Sequence, residues 1–81
     1  MKKFVLIGQT SDFIQCIGVY DNAETAYGKA YLYLDDQAGS YEYVKCHISR
    51  LEELEADTGY RMYLVIDDKE KEWVDILFYE E

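Results

Sequence analysis

Cys46 and His47 stand side by side, and a thiol beside an imidazole is the raw material of a nucleophile and its base. The stretch around them, "YEYVKCHI" (41–48), reads as a strand. Neighbours along a strand point to opposite faces, so the two groups do not pair directly. His47 is the chain's one histidine, and two cysteines with one histidine at these spacings make no zinc set. "GQTSD" (8–12) has one glycine and no lysine after it, which excludes a phosphate loop. "DDKEKEWVD" (67–75) lacks the central glycine and the Asp-x-Asp spacing of an EF-hand loop. Paired carboxylates for glycoside hydrolysis need one acid kept protonated beside an ionised one, and no pattern here sets two acids apart in that way. The sequence therefore predicts no catalytic residue, no cofactor and no metal site, and we read the chain as non-enzymatic.

The acids form the remaining chemistry. The net charge is −9, and it is uneven: residues 1–50 carry six acids and five bases, residues 51–81 eleven acids and three bases. Direct binding to nucleic acid or to an anionic membrane is disfavoured by that surface, whereas a basic protein is attracted to it. Two stretches concentrate the charge, Glu52, Glu53, Glu55 and Asp57 in one, Asp67, Asp68, Glu70 and Glu72 in the other. If both lie at the same end of a sheet, they form one acidic face. Glu70 and Glu72, in an extended chain, project on one side about 6.7 Å apart. Rows of carboxylates at such spacing can occupy the lysines and arginines that hold phosphates, which is the physics of a nucleic-acid mimic. Lys69 and Lys71 are interleaved and weaken that row. The competing reading of both stretches is a solvated loop and turn. Tyr60, Tyr63 and Trp73 are the candidate short-range anchors, because aromatic side chains dominate interface energetics.

These groups must be carried by a small scaffold. Eighty-one residues make one domain with a thin core, 1–81. "KKFVLIG" (2–8) is an apolar run suited to a central strand, "QTSD" is a turn, and "FIQCIGVY" (13–20) is the returning strand, with Gly18 marking a bulge. "DNAETAYGKAYLYLDDQAG" (21–39) changes period: Asp21 as N-cap with Glu24 three residues on, Ala23, Ala26, Tyr27, Ala30, Tyr31 and Leu34 as the apolar face, and Gly39 as the stop. In 41–48, Val44, Cys46 and Ile48 share one face. "SRLEELEADTG" (49–59) is either one helical turn capped by Ser49 or an irregular acidic connection. Strands at 60–67 and 71–79 flank a polar turn, "DDKE", that has no glycine.

The fold class that follows is α+β: an antiparallel sheet of four to five strands with one main helix on one face. The last strand is apolar on both sides, with Trp73, Leu77 and Tyr79 opposing Val74, Ile76 and Phe78. One helix cannot cover both sides, so the sheet either curls into a partial barrel or presents its second face to another chain. "MKKFVLIGQTSD" has a four-residue apolar run, too short for a secretory leader, and no stretch approaches a membrane span. A cytoplasmic protein with reduced Cys16 and Cys46 is expected.

"CIGVYDNAETAYGKAYLYL" (16–34) resembles a pattern of small uncharacterised acidic proteins of bacteria and their phages, in which a strand ending Gly-Val-aromatic runs into Asp/Ser-x-x-x-Ala and an amphipathic helix. The resemblance covers about half the chain and brings no catalytic residues. It implies an accessory protein of a phage-like setting, where short acidic inhibitors of the anti-CRISPR and anti-defence kind occur. The expectation is a protein-binding module that occupies a basic, nucleic-acid-binding surface of a partner protein. A homo-oligomer, most simply a homodimer, is the second reading, and a small-ligand binder is the third.

Overall fold

The computed structural model describes residues 2–10, 13–39, 45–55 and 58–80. Their elements are β1 (Lys2–Thr10), β2 (Ile14–Tyr20), α1 (Ala23–Ala38), β3 (Cys46–Ile48), β4 (Glu52–Glu53), β5 (Gly59–Ile66) and β6 (Lys69–Glu80). All six strands belong to one antiparallel sheet with the order β2-β1-β6-β5-β3, and β4 pairs with β5 beside β3. The α+β class holds. The strand count exceeds four to five because Glu52 and Glu53 pair with Arg61 and Tyr60 as a two-residue strand. In that stretch Ser49 starts no helix: its hydroxyl accepts from the Tyr63 N–H (2.9 Å) and donates to the Arg50 carbonyl (3.0 Å).

β1 and β6 form the centre, paired from Lys2–Glu80 to Thr10–Glu72. The two ends of the described chain thus lie side by side, a pairing of maximal sequence separation that no local pattern announces. The strand path runs from β2 to β3 without closing, so among the described residues the sheet is open and does not curl into a barrel.

α1 covers one face. Ala26, Ala30 and Leu34, four residues apart, are fully buried against Leu6, Leu64, Val74 and Ile76. Small alanines at the contact let the helix approach closely. Gly8 does the same from the sheet: Tyr33 packs onto it, and an added Cβ would sit 3.0 Å from the ring. Tyr31, expected on the apolar face, is 51% exposed, whereas Tyr27, one turn earlier, packs against the core. The cap is Asn22 and not Asp21: the Asn22 amide oxygen accepts from the Thr25 N–H at 2.8 Å. Asp21 instead pairs with Lys3. Gly39 does end the helix, in a right-handed conformation with φ −59° rather than the left-handed one usual for glycine stops.

Bulges and turns set the register. Ile17 is the extra residue of β2, next to Gly18, where pairing shifts between Leu6–Gly18 and Ile7–Cys16. The β5–β6 turn is shorter than the sequence suggests. Asp67 and Asp68 alone form it, with φ of 50° and 64°, the double positive-φ pattern of a type I′ hairpin turn normally filled by Asn-Gly. Gly59, at φ 154°, opens β5 so close to β6 that a Cβ would lie 2.0 Å from the Ile76 carbonyl oxygen. Of strand 41–48, Cys46–Ile48 is seen, with Cys46 and Ile48 against the core as expected. The reading at Val44 lies outside the described residues.

Candidate functional site

The second face of the sheet has no helix or strand over it among the described residues. Strand alternation decides who stands there: Val5, Ile7 and Gln9 from β1, Arg61, Tyr63 and Val65 from β5, Trp73, Asp75 and Leu77 from β6. Pairing in register puts Arg61 beside Asp75 and Tyr63 beside Trp73.

A polar group sits at the centre of this apolar field. Asp75 is 7% exposed and accepts three hydrogen bonds: from Arg61 Nε at 2.5 Å, from Arg61 Nη2 at 3.0 Å and from Gln9 Nε2 at 2.8 Å. Two-point pairing fixes the plane of the guanidinium as well as its position. The Arg61 proton affinity rises above its ordinary value, first through the Asp75 hydrogen bond and against the cost of burial. Its cationic carbon lies 5.6 Å from the Trp73 ring centre and 6.0 Å from that of Tyr63. The two rings are 6.4 Å apart and tilted at 56°. The product is a rigid platform of one cation and two aromatic rings, spanning β5 and β6 and tied to β1 through Gln9. The Trp73 indole N–H is buried and has no hydrogen-bond partner among the described residues. An aromatic and arginine centre of this kind is the composition favoured at protein interfaces.

The acidic stretches do not meet at one end. Glu52 is opposite Arg61 near the start of β5, whereas Asp67 follows its last residue. Six strand steps separate these levels, about 20 Å. The acids therefore stand at both ends of the platform rather than in one patch. Glu52 is on the bare face and Glu53, opposite Tyr60, on the covered one; both are exposed, as are Glu55, Asp67, Asp68 and Glu70. Asp57 lies outside the described residues. Glu70 and Glu72 do not project together: the bulge between Leu64 and Val65 aligns Glu72 with Leu64 and Glu70 with Val65. Glu72 is consequently 3% exposed on the covered face, and only Glu70 joins the bare one.

Of the expected anchors, Tyr63 and Trp73 come together. Tyr60 goes to the covered side, edge-on to Tyr27 and Phe78 with centroids 6.2 and 5.6 Å away. Gln9, Arg61 and Asp75 were not anticipated. Two of the three carry a signal in the sequence, Asp75 as the one acid within "WVDILFY" and Arg61 as the one base within "YRMYLVI", each on the same parity as an aromatic neighbour; Gln9 carries none. His47, opposite Val65, faces the bare side and Cys46 the covered one, as the strand argument requires. Both cysteines are free thiols. Cys16 on β2 and Cys46 on β3 lie four strand spacings apart, about 19 Å, far beyond disulfide reach.

Among the described residues no cavity opens and no three metal-ligating side chains converge. No described helix is long and apolar enough to cross a membrane. No protein family, curated protein or solved structure matches the chain.

Proposed function

We propose that the chain is a non-enzymatic protein-binding module whose working surface is the bare sheet face. The observation that supports this reading is the Arg61–Tyr63–Trp73 platform, locked by Asp75 and bordered at both ends by exposed acids. Rings held in place lose little freedom on docking, so their contact area is used efficiently. The acids attract the partner over distance and favour a basic rim on it. A surface on which the described residues line no cavity suits a macromolecule better than a small ligand. Like-charged borders also oppose pairing of this face with its own copy.

The partner class is a protein with a basic surface, such as one that handles nucleic acid. In the phage-like setting implied by residues 16–34, inhibition of a defence protein at that surface is the corresponding role. Affinity capture from lysate of the source cell tests the reading. It compares the wild-type chain with a Tyr63→Ala/Trp73→Ala variant and with a Glu52→Lys/Asp67→Lys/Asp68→Lys variant, at low and high salt. One basic protein should be retained by the wild type at low salt, released at high salt and missed by both variants. Equal retention by the wild type and the platform variant would remove the bare face from the account.

A further inference from the structure

The two edges of the sheet are guarded unequally. One edge is broken into β3 and β4, three and two residues long, with Glu52 and Glu53 on it. The other is β2, seven residues, "IQCIGVY", with no charge and no proline. Half of an edge strand's N–H and C=O groups point outward unpaired, and natural sheets protect such edges with charge, proline, brevity or a bulge. Among the described residues β2 has only the bulge at Ile17. Its side chains are also open to solvent: Ile14 is 70% and Val19 56% exposed, and Phe13 just before it 50%.

We infer that β2 is a docking edge for a second copy of this chain, which pairs with it antiparallel and extends the sheet across a two-fold axis. Charge selects this occupant. An uncharged strand on a chain of net charge −9 offers nothing to a basic or acidic peptide, and matches only another uncharged apolar strand, of which the second β2 is one. The border acids stand away from this edge: Glu52 and Glu53 lie four strand spacings from β2, about 19 Å, and Glu70 two spacings, about 10 Å, both beyond the screening length of about 8 Å at physiological salt. Asp21, at the end of β2, is neutralised by Lys3. The pairing is isologous, so it closes at two copies and leaves both bare faces free.

Sedimentation of the purified chain over about 1 µM to 1 mM tests the inference. A monomer–dimer equilibrium is expected. Ile14→Lys/Val19→Lys, which charges both halves of the edge at exposed positions, should weaken it at least tenfold, while Trp73→Ala leaves it unchanged. A monomer at every concentration overturns the inference. So does a dimer that survives the double substitution, or one that Trp73→Ala dissociates, since the contact would then lie elsewhere. Hydrogen exchange of the wild-type chain gives a readout independent of the variants: amides of β2 should gain protection with concentration and those of β3 should not. Equal behaviour of the two edges contradicts the pairing.

Discussion

One strand, β6, faces two different environments. Towards α1 it presents Val74 and Ile76, fully buried among Leu6, Leu34 and Leu64. Away from α1 it presents Trp73, Asp75 and Leu77, tied laterally to Tyr63, Arg61 and Gln9. The covered face is held by close packing of branched aliphatic chains, which need no orientation beyond their rotamers. The bare face is held by directed contacts, a two-point ion pair and the approach of its guanidinium to two tilted rings, with no described element on top of it. An apolar sheet face thus need not be core. Each face carries one buried acid, Glu72 on the covered side and Asp75 on the bare one, and the bare face adds the Arg61 guanidinium that pairs with Asp75.

Neighbouring substitutions on β5 should break this contrast most strongly. Leu64→Ala opens a cavity beneath α1 and should cost about 3 kcal/mol, a large share of the stability of so small a domain. Val65→Ala, one residue on but on the bare face, should cost under about 1 kcal/mol. Chemical denaturation measures both, and equal losses would mean the two faces are equally packed. Next in size is Asp75→Ala, which strands a partly buried guanidinium and should cost about 2 kcal/mol. Arg61→Met combined with Asp75→Leu should recover most of that loss, because an apolar pair needs no partner; a double variant as unstable as the single one would contradict the ion-pair account. The smallest effect concerns the turn. Asp68→Gly relieves a positive-φ residue and should raise stability by about 1 kcal/mol, read as an upward shift in melting temperature, while removing one border acid.

The sequence carried the helix, both hairpins and the parity of Cys46–Ile48 and of residues 73–79, since these rest on local period and turn chemistry. Residues 13–20 and 60–67 are strands within one residue of their expected bounds. What it did not carry is non-local or arises from single-residue insertions. Nothing in "KKFVLIG" says that β1 lies beside β6. One bulge turns Glu72 inward and separates it from Glu70, and a two-residue turn places Asp67 far from Glu52. Asn22 displaces Asp21 as cap because Lys3, distant in sequence, engages the Asp21 carboxylate. The acidic patch dissolved for these reasons. The aromatic part survived in Tyr63 and Trp73, whose parity could be read directly, while Arg61 and Asp75 needed the cross-strand register before they became a pair.

Trp73 is the chain's one tryptophan and belongs to the platform, so its fluorescence reports on the bare face alone. The most direct measurement is its emission and acrylamide quenching during titration with the basic protein retained in affinity capture. Binding through the bare face predicts a saturable spectral shift and a fall in quenching as the indole is covered. Saturable binding with unchanged emission and quenching would place the interface elsewhere and contradict the central claim.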